Sequence, residues 1–319
     1  MKNSQLYYSV GALLYCPANN KTIADSILNQ KFSRPFSLAL CLEDAIADRY
    51  VSEAESILCH TLQKLYRHTQ ERDFFLPKIF IRVRTPEQIP RLSRQFGDSL
   101  EIVNGYIIPA FSLTNADDYI HALITVNEHS PKPLYMMPIY ESPDLVDLRN
   151  RSFLLYALKD KLKPIEDRIL NIRVGGNDLC HIFGFRRHLA ESIHRIGPVA
   201  NILSDIVTVY GTDYVVSGPV WEYFRGDCWR QGLIQEITDD KLCGFTGKTV
   251  IHPNQIEVVN AAYQVPAEDL ADAKSILDWD ASSHSLVAAN PAGERMNEYK
   301  THYNWARQTL FMAQAFGTK

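Results

Sequence analysis

Eight short apolar runs, each followed by a helix-patterned or loop segment, predict an α/β chain folded as a (β/α)8 barrel with a C-terminal helical extension. Two further observations agree. The runs end in polar or charged residues, where a barrel gathers its chemistry. No Gly-x-Gly-x-x-Gly follows the first run, which weighs against the rival fold, an open doubly wound sheet that binds a dinucleotide. The length of 319 residues suits one large domain with a tail, or two domains. The expected division is a barrel over 1–277 and a linker with a helical tail over 278–319.

In order along the chain, residues 10–15 read as the first strand, stopped by Pro17, and 18–29 as the first helix. Residues 37–42 form the second strand and end at Glu43-Asp44. Residues 51–68 have helical spacing, with Ala54, Ile57, Leu58, Leu62 and Leu65 on one face. The third strand, 78–83, contains Arg82, and Pro86 and Pro90 bracket the next helix start. The fourth strand, 105–108, closes at Pro109, and 116–127 is helical. The fifth, 134–139, runs into Tyr140-Glu141-Ser142-Pro143, and a helix over 145–161 follows.

In the sixth strand Leu170, Ile172 and Val174 alternate, and Gly175-Gly176 free the backbone to turn before Asn177-Asp178. A helix over 199–210, a seventh strand at 214–217, a helix around 230–237 and an eighth strand at 248–251 follow, the last ending at His252-Pro253. The stretch 279–294, rich in Ala, Ser, Asn and Pro, reads as a linker to a terminal helix at 298–316.

Composition narrows the function. A net charge of −4 gives no basic footprint for nucleic acid. No apolar run reaches the length of a membrane span, and the first residues lack the apolar core of a signal peptide. Six scattered cysteines without a Cys-x-x-Cys pair read as buried thiols in a reducing cytoplasm, not as a disulfide framework or a zinc site.

In a barrel the strand ends share one mouth, which here would collect Glu43, Asp44, Arg82, Glu141, Asp178 and His252. Crowded carboxylates need a cation or protons between them. Without Cys/His ligand spacing, oxygen ligation favours Mg²⁺, with Mn²⁺ as the alternative. Arg82 could hold a substrate carboxylate in its planar fork. Each residue has a plainer reading: Asp178 caps the next helix, Glu43-Asp44 suits a helix dipole, and Arg82 makes a structural ion pair. Likewise Glu141 belongs to a local turn, and His252 secures the strand end. Two lookalikes are set aside. Gly244 to Thr249 resembles a phosphate loop, but Leu242 stands where its first glycine is required, and the motif enters a strand instead of leaving one. Cys41, inside an apolar run, packs as a small hydrophobe.

Five segments together resemble a known family: Cys41-Leu42-Glu43-Asp44-Ala45, Ile81-Arg82-Val83, Tyr140-Glu141-Ser142, Gly175-Gly176-Asn177-Asp178-Leu179, and Gly244-Phe245-Thr246-Gly247-Lys248 with Ile251-His252-Pro253-Asn254-Gln255. The chain resembles the HpcH/HpaI aldolase and citrate lyase beta-subunit family, Mg²⁺-dependent carbon–carbon lyases on a TIM barrel, with gaps from Leu13 to Leu277. The resemblance implies Glu141 and Asp178 as metal ligands and Arg82 as the arginine on the substrate carboxylate and developing enolate. It implies Glu43 and Asp44 as groups holding metal-bound water. Members are often trimers whose tails bring an acidic residue to a neighbour's site; Gly293-Glu294-Arg295-Met296-Asn297-Glu298 is the nearest counterpart here, with Glu298 as the acid/base candidate. The plainer reading of Glu298 is that it starts the terminal helix.

The chain departs from the family at Pro109-Ala110, where Pro-Lys is usual, at Cys41, where the family often has Asp, and in its Gly-Gly-Asn-Asp loop. The metal pair is untouched, while the substrate is left open. The expected activity is cleavage or formation of a β-hydroxy acyl compound by a cytoplasmic homo-oligomer, with a coenzyme A thioester as one candidate substrate. Alternatives are an aldolase for a phosphorylated or other non-CoA substrate, and a degenerate scaffold subunit.

Overall fold

The structure, a computed structural model, describes residues 3–280, 282 and 284–319. Eight parallel strands form the barrel: β1 (Ala12–Pro17), β2 (Ser37–Cys41), β3 (Lys78–Arg82), β4 (Val103–Ile108), β5 (Tyr135–Tyr140), β6 (Ile172–Val174), β7 (Val216–Ser217) and β8 (Lys248–Val250). They pair in sequence order, and β8 returns to β1. The ring closes through a parallel bridge between Gly218 and Lys248, where the Gly218 N–H donates to the Gly247 carbonyl at 2.9 Å. The predicted (β/α)8 barrel is therefore the observed fold.

Twelve α-helices occur among the described residues: α1 (Gln5–Tyr8), α2 (Ile23–Leu28), α3 (Val51–Glu71), α4 (Gln88–Phe96), α5 (Ala116–Asn127), α6 (Arg151–Leu162), α7 (Gly176–Ile182), α8 (Gly197–Tyr210), α9 (Trp229–Leu242), α10 (Asn254–Tyr263), α11 (Ala267–Leu277) and α12 (Tyr299–Phe316). Strand alternation sorts the core into two layers. Leu13, Ala39, Phe80, Ile107, Met137 and Ile139 fill the barrel interior. Leu14, Leu38, Leu40, Ile79, Ile81 and Ile172 face outward onto the helices. The apolar face foreseen on α3 is buried at Ala54, Leu58, Leu62 and Leu65.

Departures from expectation have local causes. The helix expected from 145 starts only at Arg151, because Pro143–Val146 forms a separate 3-10 turn whose cap, Ser142, accepts the Asp144 N–H. Helices α10 and α11 had no counterpart in the reading of the sequence. Nor did the antiparallel pair β9 (Val287–Ala289) and β10 (Met296–Glu298), which occupies part of the stretch taken as a linker; residues 281 and 283 of that stretch lie outside those described. All six cysteines are free, and Cys16, Cys41 and Cys180 are buried as expected, but Cys228 and Cys243 are exposed.

The tail packs on its own barrel. Helix α12 lies against α11 and α1, and Phe316 stacks on Tyr263 with ring centroids 5.2 Å apart. Phe316 joins the main core, beside Gly11 at the start of β1. At the end of the barrel opposite the strand C-termini, Leu6 and Tyr7 pack against the interior cluster, and α12 lies outside them against α1.

The phosphate-loop lookalike is structural. Lys248 enters β8 and is fully buried, its Nζ 2.9 Å from Glu236 Oε1 and 2.7 Å from Asp240 Oδ2, both on α9. Arg187 pairs with the same Glu236, and His194 with Asp240. This buried network fixes α9 against β8. It also explains why α9 lacks a clean apolar stripe in the sequence.

Candidate active site

Arg82 ends β3 with its side chain pointing into the barrel mouth. Three carboxylates meet its guanidinium: Glu43 at 2.8 Å, Asp44 at 2.8 Å and Glu141 at 3.3 Å. Burial works against its charge, yet Tyr15, Glu141, Glu43 and Asp44 together raise its pKa. Glu43 and Asp44 come from the loop after β2. Arg84 holds that loop, donating to the carbonyls of Leu42 (2.6 Å), Glu43 (3.1 Å) and Ile46, and pairing with Asp48 at 2.6 Å. Arg84 was not singled out from the sequence, where it looks like a surface residue past a strand.

Glu141, one residue beyond β5, is buried. Its Oε1 accepts the Ala110 N–H at 2.9 Å. Ala110 presents that N–H from a left-handed turn, φ 43°. Burial pushes the Glu141 carboxyl up to about 8, against the pull of Arg82 and with a further push from Asp178.

Asp178 is the third residue of α7, whose N-cap is Gly175, so it does not cap that helix. Gly175 does more than permit a turn. A Cβ at this position would lie 2.2 Å from Glu141 Oε2 and 3.0 Å from Asp178 Oδ2. The absent side chain is what lets the two carboxylates converge on one point. Gly175→Ala is accordingly expected to force them apart and weaken Mg²⁺ binding at least about tenfold, the scale on which displaced ligand supports act. Calorimetric titration with Mg²⁺ checks this, and parental affinity in Gly175→Ala would place the ion elsewhere.

These residues line a cavity of about 440 Å³ at the strand C-termini. Asp44, Arg82, Glu141 and Asp178 line it together with Tyr15, Arg173, Asn177, Arg186, Glu222 and Thr249. Glu43 supports Arg82 from behind this wall. His252 does not line it: its ring stacks on Phe224 at 4.5 Å, and its Nδ1 accepts the Asn254 N–H at 3.1 Å. Glu298 ends β10 and precedes α12, and it does not line this chain's cavity either. Tyr15, Arg173 and Glu222 were missed in the sequence. For Arg173 a signal existed, because Ile172-Arg173-Val174 repeats the Ile81-Arg82-Val83 pattern of a charge at an inward strand position.

The donor set suits a hard divalent ion. Among the described residues no cluster of three or more His, Cys, Asp or Glu could enclose a metal. Two converging carboxylates, one of them buried and reluctant to ionise alone, fit Mg²⁺, which keeps several waters and takes one or two protein carboxylates.

Comparison with known proteins gives the family and the fold. A family model described as "C-C_Bond_Lyase of the TIM-Barrel fold" matches residues 4–318. The (3S)-malyl-CoA thioesterase of Cereibacter sphaeroides is 29% identical over 150 residues, 46% of this chain and 50% of that protein. The chain thus matches about half the length of these curated relatives. Among solved structures, the CitE protein of Mycobacterium tuberculosis in complex with magnesium, acetoacetate and coenzyme A superposes with a TM-score of 0.61 at 18% identity, covering 97% of this chain and 100% of that one. The malate synthase of Haloferax volcanii gives a TM-score of 0.62 at 16% identity, over 80% of this chain and 75% of its own. At these identities the structures attest the fold, and the family rests on the model that spans the chain. With a family model spanning residues 4–318 and a closed eight-stranded barrel, the chain belongs to the C–C bond lyase family of the TIM-barrel fold.

Proposed function

We propose that this chain is a Mg²⁺-dependent carbon–carbon lyase that cleaves or forms a β-hydroxy acyl compound. One observation supports this above others: Arg82, Glu141 and Asp178 converge around Gly175 on a single cavity. Glu141 and Asp178 hold the ion. Bound there, Mg²⁺ supplies Lewis acidity to a carbonyl or carboxylate oxygen of the substrate. Arg82 holds the substrate carboxylate and the developing enolate oxygen by charge-assisted hydrogen bonds. Glu43 and Asp44 keep the guanidinium aimed, and Asp44, at the cavity wall, is placed to hold water as well. In the cleavage direction the substrate hydroxyl loses its proton and the Cα–Cβ bond breaks. Its electron pair passes into the enolate of the acyl fragment, which then takes a proton.

The name of the curated relatives favours a second reading, hydrolysis of a thioester. The two part cleanly with Mg²⁺ and (3S)-malyl-CoA as probe, alongside a 4-hydroxy-2-oxo acid as a substrate without coenzyme A. Cleavage of the carbon–carbon bond yields an oxo-acid, detected as its hydrazone; hydrolysis yields malate and a free thiol. Oxo-acid from either probe supports the lyase, thiol without oxo-acid supports the thioesterase, and neither product from either probe overturns both.

We further propose a homo-oligomer in which Glu298, which does not line its own chain's cavity, serves a neighbour's as acid or base. Cutting the chain at Leu277 is a poor test, because it removes Phe316 from the core. Glu298→Gln keeps the packing. Multi-angle light scattering should show more than one chain per particle, and the substitution should lower kcat by about 10²-fold or more, the lower range for general acid–base groups. A monomer, or a fully active Glu298→Gln protein, removes the tail from the mechanism.

A further inference from the structure

The wall of the cavity contains a cation that the reaction above does not use. Arg173 on β6 is 2% exposed. It lies one inward-facing position below Gly175, about 7 Å along the strand at ordinary strand rise. Arg82 has three carboxylates around it, whereas the partners of Arg173 among the described residues are neutral: the hydroxyls of Thr249 and Tyr15. Its Nη1 is buried and has no hydrogen-bond partner. In the next strand Ser217 stands directly opposite Arg173 in the register, fully buried, and its hydroxyl is also without a partner.

A guanidinium removed from water without an anion is costly, and burial accordingly pushes the Arg173 pKa down. Two adjacent orphaned donors on the inner wall of a barrel, one of them charged, call for an acceptor that arrives from outside. The neighbouring strands place no carboxylate there: Ile139 of β5 and Ser217 of β7 are the register partners of Arg173.

We propose that Arg173, supported by Thr249 and Tyr15 on the cavity wall, binds a second anionic group of the substrate, so that the substrate is a short acid with a carboxylate at each end. The inference rests on the metal-and-Arg82 reading, which places the other end of the same molecule. The free Nη1 of Arg173 carries two N–H bonds, a pair that can meet both oxygens of a carboxylate. Arg173 thus acts in specificity, distinguishing acids with a second charge from those that end in a methyl group.

The test uses the full chain with Mg²⁺ and two stable hydroxy acids, L-malate and L-lactate, which share the hydroxy-carboxylate end and differ in the second carboxylate. Calorimetry should show malate binding at least about tenfold tighter than lactate, as expected for a charge-assisted pair. Arg173→Gln should reduce malate to the affinity of lactate, leaving Mg²⁺ and lactate binding unchanged, and Arg173→Lys should keep part of the preference. Malate no tighter than lactate in the parent protein overturns the inference alone, as does a preference that survives Arg173→Gln. Tighter binding of 3-phosphoglycerate than of malate overturns the carboxylate assignment. If neither acid binds, the metal-and-Arg82 reading fails and takes this inference with it. Should Arg173→Gln not fold, the parental comparison and Arg173→Lys still decide.

Discussion

Arg82→Lys is expected to remain folded while turnover falls about 10²–10³-fold, the loss typical when one donor to a developing oxyanion is removed. The reason lies in geometry. Arg82 meets Asp44 with Nη1 and both Glu43 and Glu141 with Nη2, so three carboxylates are tied to one planar group. Lysine keeps the charge but has a single nitrogen, which cannot span those positions and still face a substrate. Glu43 would lose its hold first, since its carboxyl is already pushed up by burial and is drawn down chiefly by Arg82. Steady-state kinetics and oxo-acid affinity, measured on a variant of parental thermal stability, check the prediction. Parental kcat with unchanged oxo-acid binding would make Arg82 a structural ion-pair residue.

Asp178→Asn is expected to weaken Mg²⁺ binding by at least about 100-fold, because even groups that only support metal ligands contribute about 10–100-fold. The substitution keeps size and removes charge, so the fold should survive. The parent protein should also bind Mg²⁺ more tightly as pH rises. Glu141 binds the ion only as a carboxylate, and its carboxyl titrates at about 8 in the metal-free protein. Below that pH the ion must displace a proton, and apparent affinity should fall about tenfold per unit.

The linked stability has the opposite sign. A carboxyl raised from 4.5 to about 8 favours the folded state in its neutral form. Its contribution is complete below pH 4.5 and is lost as pH rises to about 8. Without Mg²⁺, melting temperature should drop across that window; with Mg²⁺ the drop should shrink, and Glu141→Gln should abolish it. Calorimetry in buffers of different ionisation enthalpy should register proton release on Mg²⁺ binding below pH 8. Equal Mg²⁺ affinity at pH 6 and pH 9, or in Asp178→Asn, would rule out this pair as the metal site.

The barrel was legible because strand and helix periodicities alternate from end to end, and each apolar run stops at a polar group. Arg82, Glu141 and Asp178 were legible for the same reason: a charge at the end of an apolar strand has few structural uses. Other features were hidden by physics that the linear chain does not express. Helix α9 was expected only around 230–237 and runs to Leu242, because it buries Glu236 and Asp240 against Lys248 and its pattern there reads as polar. His252 looked like a mouth residue, but its stacking on Phe224 turns it aside. The tail reads in the sequence as a linker and a terminal helix outside the barrel domain, but Phe316 joins the main core.

By itself the sequence determined the strand count, the closed parallel architecture and the residue types gathered at one end, since these follow from local periodicity and from where each run breaks. Only the tertiary structure decided which charges neutralise one another. Barrel closure brings Glu43, Asp44 and Glu141 onto Arg82 from two other strand ends and leaves Arg173, in the same Ile-Arg-Val setting, facing hydroxyls alone. The physical reason is that ion pairing depends on distances of a few ångströms across the barrel between residues up to 59 positions apart in the chain.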